Sequence, residues 1–131
     1  MKKKILIVAS NYYKKITDNL ISNALSFFSS KQNIKVIRVN GTFEIPSVIS
    51  KNLKKYDAFI ALGCVIKGET PHFDFICSST FDGLMKISIE SSKPIGNGII
   101  TCLNMSQAKK RSAVKGKEAS KAVLQVLNNG K

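Results

Sequence analysis

His72 is the only histidine in the chain. It stands near the end of a run, Gly63-Cys64-Val65-Ile66-Lys67-Gly68-Glu69-Thr70-Pro71-His72-Phe73, that brings glycines, a carboxyl and a hydroxyl close together. An imidazole titrates near neutrality, so it can move protons at ordinary pH. Glycines let backbone N–H groups face an anion, and a helix starting just behind them adds further donors; the pairing suits a phosphate. Thr70 adds a hydroxyl donor. The run is not a Walker loop, because G-x-x-x-x-G-K-[ST] is absent. A lone histidine is more often a surface or capping residue, so the catalytic reading rests on its place beside the loop. No second histidine and no thiolate close in sequence accompany it, which leaves a zinc site or a Cys–His nucleophile unsupported.

Three other groups could do chemistry. Glu44 follows Gly41-Thr42-Phe43 and precedes Ile45-Pro46. A carboxylate at a helix start can simply complement the dipole, or it can accept hydrogen bonds from sugar-like hydroxyls. Tyr12 and Tyr13 follow the first apolar run and read either as core or as a flat platform for a heteroaromatic ring. Arg111 has Lys109, Lys110, Lys115 and Lys117 nearby. Such a charge run is usually solvated, but an arginine can fork onto a phosphate.

These residues need a frame. Residues 4–9 are a continuous apolar run, as in a strand buried on both faces. Ile16, Leu20, Ile21, Ala24, Leu25 and Phe28 then fall at helical spacing. Residues 34–39 read as a second strand. Pro46 stands where a helix can begin, since its missing N–H is not needed there, with Ile45, Val48, Ile49 and Leu53 on one face. Residues 57–64 are the third strand. Phe73, Ile76, Cys77, Thr80, Leu84 and Met85 mark a longer helix, and residues 95–101 the fourth strand. Asn104 and Gln107 have capping-box spacing for a short helix. Ala119, Ala122, Val123, Val126 and Leu127 form the stripe of the last one. This alternation predicts an α/β fold, a three-layer αβα sandwich on a four-stranded parallel sheet. In such sheets the ligand lies beyond the carboxyl ends of the strands. The unusual residues fall there, at 10–13, 40–44, 63–73 and from Thr101 onward.

Composition narrows the function. At 131 residues and 44% hydrophobic, the chain reads as one domain, residues 1–131, with a packed core. Its apolar runs are strand-sized, well short of the roughly 20 residues that span a bilayer. Met1-Lys2-Lys3-Lys4 resembles the front of a signal peptide, but the apolar stretch behind it meets Asn11 and two tyrosines without a cleavage site. The reading is a cytoplasmic protein without a membrane partner. Cys64, Cys77 and Cys102 are odd in number and hold no C-x-x-C pair, so a disulfide framework and a zinc cluster are both disfavoured. The net charge of +13 invites nucleic acid. The lysines are scattered, however, and do not line one helix with interleaved aromatics, so no nucleic-acid partner is expected.

Taken together, Gly41-Thr42-Phe43-Glu44-Ile45-Pro46, Ala61-Leu62 running into the block that ends His72-Phe73, Gly98-Ile99-Ile100-Thr101, and Gln107-Ala108 to Arg111 resemble the signature blocks of the lumazine synthase family. The resemblance runs from about Ile5 to Leu127, and the block around His72 is its most specific part. It implies a flavodoxin-like fold. It also implies a riboflavin-pathway transferase that condenses 5-amino-6-(D-ribitylamino)uracil with 3,4-dihydroxy-2-butanone 4-phosphate, giving 6,7-dimethyl-8-ribityllumazine, phosphate and water. Neither metal nor redox cofactor is implied. Tyr12 matches the aromatic that stacks on the pyrimidine, and Thr42, Phe43 and Glu44 match the ribityl-holding segment. Cys64, Val65 and Ile66 match the backbone that reads the pyrimidine edge. Glu69 and Thr70 match the butanone-phosphate segment, and His72 the proton-transfer residue. Arg111 matches the phosphate-binding arginine, with Lys115 as a basic residue beyond it.

The resemblance further implies sites shared between subunits, with Asn97 and Arg111 coming from the next chain, and riboflavin synthase as a partner. Asn97 departs from the pattern, because many members carry an aromatic there; asparagine can hydrogen-bond the pyrimidine but cannot stack on it. Lys67 replaces a common arginine, and the Arg111-to-Lys115 connection is short. With three residues before the first strand, a homopentamer is expected rather than a 60-subunit capsid. A flavin- or lumazine-binding module without turnover is the competing reading. The joint presence of His72, Glu69-Thr70 and Arg111 favours the enzyme.

Overall fold

A computed structural model describes residues 3–129. Met1 and Lys2 of the basic start, and Gly130 and Lys131 at the far end of the expected domain, lie outside the described residues. The elements run β1 (Ile5–Ser10), α1 (Lys14–Ser26), β2 (Ile34–Val39), a 3-10 turn (Thr42–Glu44), α2 (Ile45–Lys51), β3 (Ala58–Ile66), α3 (His72–Ser91), β4 (Ile95–Cys102), α4 (Met105–Ser112) and α5 (Lys115–Asn128). All pairings are parallel, in the order β2-β1-β3-β4. This is the α/β three-layer fold that the alternation of elements predicts.

Burial follows position in the sheet. Every residue of β1 is buried, as is β3 through Cys64, because each has a strand on both sides and helices on both faces. The edge strand β2 is only half-buried. Alternate side chains serve two cores. Ile5, Ile7, Ile60 and Leu62 pack with α1 and α5 residues such as Leu20 and Val123. Leu6, Val8, Phe59 and Ala61 pack with Ile45, Ile49 and Leu84 of α2 and α3.

Two local details differ from the expected pattern. The first helix stops at Ser26, but Phe28 still packs on the core from the turn that follows. Asn104 accepts from the Gln107 N–H at 2.9 Å, as a cap should. Gln107 reaches back one residue further than a capping box does, its Oε1 accepting from Leu103 N at 2.8 Å.

Helices α1 and α5 approach closely through small residues. Ser120 Oγ donates to Ala24 O at 2.9 Å, and Lys117 N donates to Asn23 Oδ1 at 2.6 Å. Gly116 lies against the α1 backbone, where a Cβ would collide with Leu20 O and come within 2.9 Å of Ala24 N. Alanine is the better helix former by roughly 1 kcal/mol, so propensity alone favours Gly116→Ala. Overpacking costs about 1–3 kcal/mol and falls here on rigid backbone. Gly116→Ala should therefore lower the unfolding free energy in urea, by up to about 2 kcal/mol net. A raised denaturation midpoint would mean that the helices do not meet this closely.

Candidate active site

Strand β3 outruns β1. Pairing with β1 ends at Ala9↔Leu62, whereas pairing with β4 continues to Ile66↔Cys102. Residues 63–66 therefore carry one backbone edge that no β1 residue pairs. Sequence patterning ends this strand at Cys64 and treats the next residues as loop; the structure extends it to Ile66 because Ile99–Cys102 supply a partner. The true loop is residues 67–71, and its first N–H, from Lys67, still bonds Cys102 O at 2.9 Å.

A cavity of about 410 Å³ opens beside this edge, beyond the carboxyl ends of β1 and β3, where the strand order reverses. Its walls include Tyr12, Thr42, Phe43, Glu44, Cys64, Val65, Ile66 and His72, all expected from the sequence. Tyr13, Gly41 and Ile76 also line it. Tyr13 was legible only as core or platform, and it is both: half-buried against the α1 face, it reaches the cavity. Ile76 lies one helical turn after His72 and could have been found from that i+4 spacing. Gly41 starts the wall that Thr42 to Glu44 continue.

Behind Thr42 lies a knot of small polar groups. Ser10 Oγ and Thr42 Oγ1 share a buried hydrogen bond of 3.3 Å, and Thr17 Oγ1 donates to Ser10 O. Gly63 leaves room for it: a Cβ there would sit 2.8 Å from Ser10 Oγ and 3.1 Å from Thr42 Oγ1. The carboxyl ends of β1 and β3 and the segment after β2 are thereby held together.

The aromatic wall is built differently. Tyr12 is 74% exposed, which rules out a core role. Tyr13 meets it edge-on, with centroids 4.9 Å apart and planes at 79°, and so limits the orientations of the outer ring. Arg38 stiffens the same corner, donating to Asn11 Oδ1 at 2.8 Å and pairing with Asp18 at 2.7 Å. Lys14 and Arg38 beside Asp18 hold its carboxyl below the usual range.

His72 opens α3 and is exposed at the cavity. Its backbone N–H donates to Thr70 Oγ1 at 3.3 Å, so Thr70 ties the loop to the helix start. Glu44 precedes α2 without capping it through its side chain. Its Oε1 folds over Gly41 instead, where a Cβ would come within 2.8 Å.

The remaining candidates do not line this cavity. Glu69 and Thr70 lie in the exposed loop beside it. Asn97 is exposed on the edge strand β4, and its Oδ1 accepts from Ile99 N at 3.0 Å. Arg111 is on α4, with Nη1 donating to Thr101 O at 2.9 Å. Lys115 begins α5 and pairs with Glu118 at 3.2 Å.

The three thiols are free and buried. Burial, with neighbouring Cys102 adding to it, pushes Cys64 from 9.0 up to about 12. Cys64 is thus a neutral thiol at physiological pH and no nucleophile. Burial also raises Tyr13, Cys77 and Cys102.

The model of the 6,7-dimethyl-8-ribityllumazine synthase family matches residues 2–131. Among similar proteins, one named 6,7-dimethyl-8-ribityllumazine synthase from Corynebacterium kroppenstedtii is 44% identical over 110 residues, covering 83% of this chain and 69% of its own. Its namesake from Desulfovibrio desulfuricans is 36% identical over 95% of this chain and 86% of its own. That from Mycobacterium ulcerans is 39% identical over 92% and 81% respectively.

The thiol values carry a pH dependence. An unfolded chain releases the Cys64 proton near pH 9, while the folded chain keeps it until about 12. Across that window the unfolded state binds fewer protons, so stability is complete below pH 9 and falls as pH rises toward 12. Cys64→Ala should show a shallower loss than wild type in urea titrations across this range. An unchanged slope would exclude Cys64 as a source and leave Tyr13, Cys77 and Cys102.

Proposed function

The chain belongs to the 6,7-dimethyl-8-ribityllumazine synthase family, and we propose that, as a single domain over residues 1–131, it works through the cavity beside β3 with the residue roles that follow. It is a transferase of riboflavin biosynthesis, condensing 5-amino-6-(D-ribitylamino)uracil with 3,4-dihydroxy-2-butanone 4-phosphate to the lumazine, phosphate and water. The observation that carries the site assignment is the backbone edge of residues 64–66, unpaired by β1, facing an aromatic-walled cavity with His72 at its side.

A flat ring bearing amide-like donors and acceptors fits such an edge as a strand would. Tyr12 stacks on the pyrimidine while the backbone of Cys64, Val65 and Ile66 reads its rim. Thr42, Phe43 and Glu44 hold the ribityl chain, the Glu44 carboxylate accepting from its hydroxyls. Glu69 and Thr70 position the butanone phosphate. An amine that condenses with a ketone loses water, and phosphate leaves only as a proton departs from the neighbouring carbon. Ring closure by the second nitrogen loses water again. Each step moves a proton, and His72 is placed to carry it.

Asn97 and Arg111 complete the site of an adjacent chain in a closed ring of five, with Lys115 as a basic residue beyond Arg111. What supports this is that they fall outside their own chain's cavity, although they match phosphate- and pyrimidine-binding positions of the family. A head-to-tail interface that closes supplies the missing half to every site. The cytoplasm is the proposed location, in keeping with three free thiols. Riboflavin synthase, which consumes the product, is the proposed partner. The direct assay incubates both substrates with pure protein and follows lumazine absorbance and phosphate release; absence of both would sink the reading.

Two variants test the roles. His72→Ala should stay folded and lose on the order of 10²-fold in kcat; an unchanged kcat would leave His72 as a helix-start residue only. A charge-assisted phosphate contact is worth roughly 1.5–3 kcal/mol. Arg111→Ala should therefore raise KM for the butanone phosphate about tenfold or more and affect the pyrimidine less. Co-expressing the two impaired variants should restore about a quarter of wild-type activity at butanone phosphate well below KM, because in a mixed ring about one interface in four joins two intact halves. No recovery would place His72 and Arg111 in the same subunit's site.

A further inference from the structure

The positive charge left over from this chemistry gathers at the opposite pole of the sheet. Lys4 immediately precedes β1, Lys35 is the second residue of β2, and Lys54 and Lys55 lie in the turn before β3. These four exposed lysines, with Asn33 and Tyr56, line a cavity of about 470 Å³ at the amino ends of the strands. No carboxylate lines it. Asp57, next to Tyr56 in sequence, accepts the Lys4 backbone N–H at 2.8 Å and holds the strand entry instead of an ammonium group. The ion pairs among the described residues are Lys14–Asp18, Arg38–Asp18 and Lys115–Glu118, so none of the four has an acidic partner. Lys93, just ahead of β4, places a further cation behind the cavity by donating to Leu53 O and Tyr56 O.

We propose that this cleft is a second anion site, which takes an oligophosphate: a chain of linked phosphoryl groups, free or carried by a nucleoside. Like charges converging on one opening repel one another, and an anion relieves that cost. The ammonium groups come from three separate segments, so they suit several linked phosphates better than a single one. Lysine binds phosphate as a point charge and needs no fixed fork geometry. The volume is that of a small-molecule site. The site lies at the other end of the strands from the cavity that carries the reaction and does not depend on it.

Calorimetric titration of the intact protein with tripolyphosphate at physiological salt tests the proposal. Wild type should show two classes of site, and Arg111→Ala should lose one of them. The triple variant Lys35→Gln, Lys54→Gln, Lys55→Gln should weaken the other at least about tenfold while lumazine synthesis continues at the wild-type rate. A matched variant, Lys86→Gln, Lys117→Gln, Lys121→Gln, removes the same charge elsewhere on the surface and should keep both classes. Competition by ATP would identify a nucleoside polyphosphate as the ligand, and tripolyphosphate binding without ATP competition an inorganic one. Equal weakening in the two triple variants would reduce the cleft to diffuse charge. That result, no class weakened by the cleft variant, or binding to single-stranded RNA alone would overturn the proposal.

Discussion

The site depends on a mismatch in strand length. β3 continues past Leu62 where β1 has already turned away, and it can do so because β4 pairs it on the other side. Backbone N–H and C=O groups need partners; β4 satisfies one edge and leaves the other directed at whatever enters the cavity. A chain that ended β3 level with β1 would have a loop there, with no fixed row of donors and acceptors. The buried Ser10–Thr42 pair and the bare Cα of Gly63 hold the mismatch in place, since any side chain at 63 would push those hydroxyls apart.

That dependence explains what could be read in the sequence. Continuous apolar runs announce β1 and β3 because both are flanked by strands and helices; periodicity places α1, α3 and α5, Pro46 with its apolar face α2, and the Asn104–Gln107 spacing α4. The cavity residues were legible because they fall after strands, the one region of such a sheet where Tyr12, Glu44 or His72 meets no packing demand. What escaped was set by pairing across the sheet. Val65 and Ile66 suit a strand but run at once into Lys67-Gly68, so the partner strand decides, some 35 residues away. The 3-10 turn at Thr42–Glu44 was missed for the same reason, since its Thr42 is held by Ser10. Tyr13 had two readings because its ring serves both core and cavity.

The two poles of the sheet are chemically unlike. At the carboxyl end, hydroxyls, aromatics and a histidine surround a partly apolar hollow, and the buried thiols near it are held protonated. At the amino end, lysines flank the strand entries, and one of them, Lys93, is spent on the carbonyls of Leu53 and Tyr56. A composition with 21 basic and 8 acidic residues cannot neutralise every cation internally. The distribution matters more than the total: no carboxylate lines the amino-end cavity, whereas Glu44 stands in the wall of the carboxyl-end one, so the two linings select different ligands.

The groups outside the cavity are held by bonds of unequal strength, and this decides which can turn toward a neighbour's ligand. Lys115 pairs with Glu118 at an exposed position, an interaction worth about 0–1 kcal/mol. A phosphate contact worth roughly 1.5–3 kcal/mol outweighs it, so the pair does not bar Lys115 from a phosphate. Arg111 need not let go of its partner at all. Its guanidinium has five N–H donors in a fixed fork; the bond to Thr101 O uses one and aims the rest. Thr101 is the β4 residue in register with Val65 of the overhanging edge. In the proposed ring, the strand extension that offers its backbone to one ligand therefore also sets, through its paired neighbour on β4, the position of the arginine offered to the next.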